Sequence, residues 1–206
     1  MKILYFKTLP STQLYLVEQI KKGGLNAPVC VWARYQSAGV GSRAQKWESV
    51  KRALTFSFAW EVYAGVPMQS WSLYFGYLFK EGLHDLGKSE VWLKWPNDLY
   101  KERNKIGGVM TQIYHNTLIC GIGLNLESKR YGALDVCPEI ALYTFLEKLE
   151  TKPSWQDIYS AYCQDFTHNH QNQFFKHGND RISLQQAQIL EDGGLLIAGN
   201  IYHANR

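Results

Sequence analysis

The sequence predicts an α/β chain built on a mixed, largely antiparallel sheet flanked by helices. Three observations carry that expectation. From Ala53 to Val62, bulky and small residues alternate: Leu54, Phe56, Phe58 and Trp60 share one face, and Ala53, Thr55, Ser57 and Ala59 share the other. That period of two is the mark of a strand. A second apolar run reaches Tyr114, and a third spans Thr117 to Leu126, with His115-Asn116 between them as a turn; together they read as an antiparallel hairpin. Helical patterns then occupy 68–86, 138–150 and 153–175, each beginning beside a proline, where the missing N–H costs nothing.

Length and composition set the bounds. The 206 residues suit one domain with a small appendage, and 46% hydrophobic residues fill a sizeable core. No apolar run is long enough to span a bilayer. The apolar stretch at Ile3–Phe6 is too short for a signal peptide and has no small-residue cleavage site. Cys30, Cys120, Cys137 and Cys163 are scattered, without a C-x-x-C pair, so reduced thiols in a cytoplasmic protein are expected. A net charge of +4 suits an anionic ligand and equally an ordinary solvated surface.

Taken in order, Ser11 or Thr12 caps a first helix that Gly23-Gly24 ends, with Leu14, Leu16, Val17 and Ile20 as its buried stripe. Val29–Ala33 is a strand. It leads into Tyr35-Gln36-Ser37-Ala38-Gly39-Val40-Gly41-Ser42-Arg43-Ala44-Gln45-Lys46-Trp47, a pliable glycine-containing loop whose N–H groups suit an anion. After the strand at 53–62, the aromatic stripe of the 68–86 helix reads as core. On the last helix Ser154 is the cap, and Trp155, Ile158, Tyr159, Tyr162 and Phe166 form the buried face. His168, His170 and His177 do not make a metal site on this pattern: residues two apart on a helix face different ways, and no carboxylate or thiol completes a set. The tail from 181 to 206 has strand-like pieces around Asp192-Gly193-Gly194.

The stretch with most chemistry in it runs from Val91 to Ile113. Val91-Trp92-Leu93 is a short buried strand that Pro96 must end. Asn97-Asp98 favours a turn, Lys101-Glu102-Arg103-Asn104 reads as a solvated hairpin tip, and the chain returns through Lys105 into Val109–Ile113. This path brings Lys94, Asn97, Asp98 and Lys105 together at one end of the sheet, beside Gly107-Gly108, where backbone can approach a ligand closely.

The phrase Lys94-Trp95-Pro96-Asn97-Asp98-Leu99-Tyr100, followed by Lys105-Ile106-Gly107-Gly108, resembles the signature of the biotin protein ligases. Gly121-Ile122-Gly123-Leu124-Asn125 resembles that family's Gly-x-Gly-x-Asn, and Ser11-Thr12-Gln13 its Ser-Thr-Asn. The family's loop Gly-Arg-Gly-Arg-x-Gly-Arg-x-Trp is matched only at Gly39, Gly41 and Trp47. Val40, Ser42, Ala44 and Gln45 depart from it, leaving Arg43 and Lys46 as the loop's cations. Each missing arginine removes a fork of phosphate donors. Either Arg43 takes over phosphate binding, or the intermediate is held less firmly.

The resemblance implies a class II aminoacyl-tRNA synthetase-like catalytic domain over 1–178, with a reduced SH3-like, strand-rich extension over 179–206. It implies activation of biotin by ATP, with Mg2+ carried on the nucleotide, to biotinyl-5'-AMP, and transfer to a lysine of the biotin carboxyl carrier protein of acetyl-CoA carboxylase. Lys105 and Asp98 are the catalytic candidates. Ser11, Thr12, Gln13, Gln36, Gly39, Val40, Gly41, Ser42, Lys105, Gly107 and Gly108 are expected around biotin, and Arg43, Trp47, Lys94, Asn97, Gly121, Gly123 and Asn125 around the nucleotide. The sequence has no helix-turn-helix ahead of these motifs, so DNA is not an expected partner, nor is a membrane; a monomer or weak homodimer is expected. Two alternatives stand beside this reading: a lipoate or octanoate ligase or transferase of the same fold, and a non-catalytic regulator that binds biotin or nucleotide.

Overall fold

The computed structural model describes residues 1–42, 45–48, 50–171, 173–178 and 180–204. Its main sheet has seven strands: β1 (Lys2–Leu9), β2 (Val29–Gln36), β3 (Arg52–Glu61), β4 (Val91–Lys94), β5 (Asp98–Lys101), β6 (Asn104–Tyr114) and β7 (Thr117–Glu127). They lie in the order β1-β2-β3-β7-β6-β5-β4. Only β1 and β2 pair in parallel; every other neighbour is antiparallel. The expected mixed, largely antiparallel sheet is what the chain forms.

The helices are α1 (Thr12–Lys21), α2 (Trp71–Asp85), α3 (Pro138–Glu150) and α4 (Trp155–Asn169), with a 3-10 turn at Met68–Ser70 leading into α2. The bulky face of β3 packs on α2 and α3: Phe58 meets Phe75 edge-on at 5.0 Å, and Phe145 lies 5.4 Å from Phe58 and 5.6 Å from Phe56. Burying each such ring contributes roughly 1.5–3 kcal/mol. Ala59, Ile119, Val31 and Leu16 form a second, smaller cluster under α1.

Several elements differ from expectation. Strand β1 is not among the expected elements; half of its residues are exposed and only Leu9 is buried, so its apolar signal is diluted. Asp98 starts strand β5 rather than sitting in a turn, because Leu99 turns fully into the core and pairs the segment with both neighbours. Leu14 is exposed, whereas Thr12, Gln13 and Leu16 are the buried residues of α1. The predicted 153–175 helix stops at Asn169; His170 caps it, and β8 (Phe174–His177) begins the tail.

β8 pairs with β9 (Asp180–Ser183) in a hairpin that straddles residue 178. Beyond it, β10 (Gln188–Ile189), β11 (Leu195–Ile197) and β12 (Asn200–Tyr202) make a three-stranded sheet. Trp95 ties this tail to the centre of the chain. Its indole N–H donates to the Gly193 carbonyl at 2.9 Å, and its ring meets Phe175 at 5.0 Å.

Candidate active site

The second face of the sheet holds the site. In register across four strands lie Asp98 (β5), Gly108 (β6), Gly123 (β7) and Thr55 (β3); one step along lie Met110, Gly121 and Ser57. The two rows carry few side chains at their centre because Gly108 and Gly123 lie in the first and Gly121 in the second. Over this floor opens a cavity of about 160 Å3. A Cβ on Gly121 would stand 2.7 Å from Gln13 Oε1, and one on Gly123 2.6 Å from the Trp47 ring. The glycines therefore admit the amide of Gln13 and the indole of Trp47 against the backbone.

At the buried end, the start of α1 and the end of β2 converge. Gln36 Oε1 accepts from the Thr12 N–H at 2.7 Å and from its hydroxyl at 3.1 Å, and Thr12 Oγ1 lies 2.9 Å from Ser57 Oγ. These groups are almost wholly shielded from solvent. Among the described residues, Gln13 Oε1 and Trp47 Nε1 are buried without a hydrogen-bond partner. A buried acceptor without a partner costs about 1–3 kcal/mol, which a ligand N–H would offset.

At the open end stands an ion pair, Lys105 Nζ to Asp98 Oδ1 at 2.6 Å. Its existence depends on a β-bulge. Asp98 pairs with Gly108 and Leu99 with Gly107, but Tyr100 pairs with Lys105, so Ile106 is the extra residue. Without it, strand alternation would turn Lys105 away from Asp98; with it, Ile106 drops fully into the core and Lys105 shares Asp98's face. Asn97 fastens the same corner: its Nδ2 donates to the Val109 carbonyl at 2.6 Å, and its own carbonyl accepts from the Val109 N–H at 2.9 Å.

The expected residues distribute as follows. Thr12, Gln13, Gln36, Val40, Gly41, Ser42, Trp47, Asn97, Asp98, Lys105, Gly108, Gly121 and Gly123 line the cavity. Ser11 does not; it caps α1, accepting from the Leu14 N–H at 3.3 Å. Gly39 sits behind the wall against Trp47 and Gln36, and Gly107 is pressed between strands, where a Cβ would be 2.5 Å from the Gly123 carbonyl. Asn125 donates to the Gly132 carbonyl and pins the loop after β7. Lys94 faces an adjoining groove, over the Tyr100 ring at 5.0 Å. Burial, chiefly, holds its ammonium below the usual lysine range; Asp98 opposes this, and Lys105 and Arg181 add to it. Arg43 lies outside the described residues.

Ser57, Met110, Gln45 and Lys46 also line the cavity. Ser57 was legible as part of the small face of β3; Met110 was not, since nothing local marks it. His170, considered for metal, instead accepts from the Trp95 N–H at its Nε2, 3.0 Å away, and its Nδ1 lies 3.2 Å from the Phe166 carbonyl. Burial pushes its pKa down to about 3, so the ring is neutral and braces the turn that carries Asn97 and Asp98.

The family model described as "Biotin/lipoate A/B protein ligase family" matches residues 5–126, which include all of the cavity wall. The chain belongs to the biotin/lipoate protein ligase family. Among solved structures, the biotin acetyl coenzyme A carboxylase synthetase of Helicobacter pylori, with bound biotinylated ATP, superposes with a TM-score of 0.94 and 41% identity, over 98% of this chain and 99% of that one. The biotin protein ligase of Aquifex aeolicus, at 22% identity and a TM-score of 0.75, shares the ligase fold. The bifunctional ligase/repressor BirA of Escherichia coli is 34% identical over 129 residues, 59% of this chain and 40% of that protein. Biotin–protein ligase 2 of Arabidopsis thaliana is 28% identical over 204 residues, 82% of this chain and 61% of its own. The chain thus spans less than two thirds of the length of these two ligase relatives.

Proposed function

We propose that the chain is a biotin protein ligase, which makes biotinyl-5'-AMP from biotin and ATP and passes the biotinyl group to a lysine of a biotin carboxyl carrier domain. The observation that carries this reading is the Lys105–Asp98 pair at the mouth of a cavity whose other end is the Thr12–Gln36–Ser57 cluster. The cavity suits a ligand with a polar head, an apolar body and a carboxylate at the far end. Biotin has that form: a ureido ring toward Thr12, Gln13 and Gln36, and a carboxylate at Lys105. The biotinylated ATP in the Helicobacter pylori structure supports the same assignment.

In the first step a carboxylate oxygen of biotin attacks the α-phosphorus of ATP. The bond to the bridging oxygen of the β-phosphate breaks, and pyrophosphate leaves with the electron pair. Lys105 stabilises the charge that gathers on the phosphoryl oxygens. Among the described lining residues Asp98 is the one carboxylate, and no three His, Cys, Asp or Glu side chains converge; magnesium is read as arriving on the phosphates. In the second step the carrier amine attacks the acyl carbon and AMP leaves. Asp98 orients that amine and accepts its proton, with Lys105 turning from the carboxylate to the phosphate. Trp47, seated over Gly123, shields the mixed anhydride from water.

Residues 1–178 are proposed to carry this chemistry, with 179–206 as a strand-rich extension. The partner is proposed to be the biotin carboxyl carrier protein of acetyl-CoA carboxylase. The cysteines are free thiols, which suits a reducing cytoplasm, and no described helix is long and apolar enough to cross a membrane. The test is incubation with biotin, MgATP and a carrier domain, followed by a streptavidin blot. Labelling is expected. Incorporation of lipoate instead of biotin would move the reading to a lipoate ligase, and no biotin-dependent exchange of pyrophosphate into ATP would leave a binding protein.

A further inference from the structure

His170 is almost wholly buried and lies outside the cavity wall. Three rings hold its imidazole: Phe166 stacks on it at 4.0 Å, and Trp92 and Tyr162 meet it edge-on at 5.3 and 6.2 Å. The Trp95 N–H donates to Nε2 at 3.0 Å, so that nitrogen carries the lone pair. The proton then sits on Nδ1, and the Phe166 carbonyl accepts it at 3.2 Å.

The backbone so gripped opens a tight connection. Lys94 of β4 pairs with Asp98 of β5, so only Trp95, Pro96 and Asn97 join the two strands. Strand β4 is an edge of the sheet. Helix side chains stand where a further strand would: His84 on the Val91 carbonyl at 2.7 Å, and His170 on the Trp95 N–H. Trp95 is tied a second time through its indole, Pro96 is stiff by its ring, and Asn97 is tied twice to Val109. Asp98 is therefore placed from the His170 side. Lys105 is placed from the other side, on β6, whose pairing with β7 does not run through Trp95.

We infer that His170 is a positioning residue for the transfer step: through the Trp95 amide it fixes the β4–β5 turn, and with it the carboxylate that receives the proton of the carrier amine. The inference rests on the ligase reading and deepens it. No proton passes through the imidazole. A short aspartate follows any shift of its backbone, whereas the four-carbon stem of a lysine absorbs one. Loosening the turn therefore harms the work of Asp98 in transfer more than that of Lys105 in adenylation.

The test uses the full chain with His170→Leu, which keeps bulk and removes the acceptor, and His170→Gln, which returns one. Two half-reactions are timed separately: biotin-dependent exchange of pyrophosphate into ATP, and single-turnover transfer from preformed biotinyl-5'-AMP to a carrier domain. His170→Leu is expected to slow transfer about ten-fold at saturating carrier, since a misplacement of about 1 Å costs on the order of 10²-fold. The KM for the carrier and the exchange rate stay within about two-fold. His170→Gln recovers most of the transfer rate. In an Asp98→Asn background, His170→Leu adds no further loss, because both act through one carboxylate.

Wild-type transfer in His170→Leu overturns the inference. So do equal losses in the two half-reactions, or losses that multiply in the double variant; either would leave His170 a packing residue alone. Should His170→Leu not fold, Trp95→Phe keeps the ring against Phe175 and loses only the bond to Gly193; the same split between half-reactions supports the inference there, and equal losses overturn it. Hydrogen exchange at the Trp95 amide reads the brace without any activity, and is expected to be slow in the wild type and His170→Gln and fast in His170→Leu. A protected Trp95 amide in wild-type protein that catalyses no biotin-dependent exchange would overturn the ligase reading, and the transfer role with it, and leave the brace standing.

Discussion

The two faces of β3 and β7 are made from alternate residues of the same strands, and they do opposite things. Leu54, Phe56 and Phe58 look one way, are fully buried and interlock with Phe75, Phe79 and Phe145. Thr55, Ser57, Gly121 and Gly123 look the other way and leave space into which Gln13 and Trp47 reach. The aromatic face holds the sheet rigid so that the bare face can keep its shape with little packed on it. Stability and chemistry are thus separated by one strand residue, about 3.4 Å.

That separation can be broken from either side. Phe58→Ala is expected to lose about 3–5 kcal/mol in urea unfolding, with specific activity per folded molecule little changed; a comparable loss of activity would show the faces to be coupled. Lys105→Ala should do the reverse. Biotin-dependent exchange should fall on the order of 10²–10³-fold, while unfolding shifts by less than about 1 kcal/mol, because the pair with Asp98 is half open to solvent.

His170 joins the two regions, and acid should expose it. Its neutral ring is held far below the unfolded value of 6.5. The stability it confers is therefore complete above pH 6.5 and is lost as pH falls toward about 3. In that window the wild type should lose roughly 1.4 kcal/mol per pH unit more than His170→Gln; parallel acid curves for the two proteins would remove His170 from the account. On the bare face, Gly121→Ala sets a methyl against Gln13 Oε1 and should weaken biotin binding about ten-fold by calorimetry, with the melting curve barely moved. Ser11→Ala makes the smallest change. Losing the helix cap costs about 1 kcal/mol of stability, and biotin affinity should stay within about two-fold; a larger drop would return Ser11 to the binding wall.

Much of this was legible from residues alone, and unevenly. The period of two in β3 assigns Ser57 and Phe58 to opposite faces. The Lys94–Gly108 phrase located Asp98 and Lys105, and the helix at 138–150 has its predicted bounds. Lys94, Gly107 and Asn125 match the same motifs and yet do not reach the cavity. A motif marks where the backbone must be special without saying which side chain meets the ligand and which only makes room.

What the sequence determined by itself is whatever local stereochemistry enforces: strand alternation, prolines and caps at helix starts, glycines where neighbours press close. The tertiary structure alone decided the rest. The unpaired residue Ile106, which aims Lys105 at Asp98, exists only because β5 and β6 must share one sheet with β7. The brace from His170 to Trp95 joins residues 75 apart, and the bond from Trp95 to Gly193 spans 98. Such contacts arise from the closing of distant elements around one core, and no window of neighbouring residues contains them.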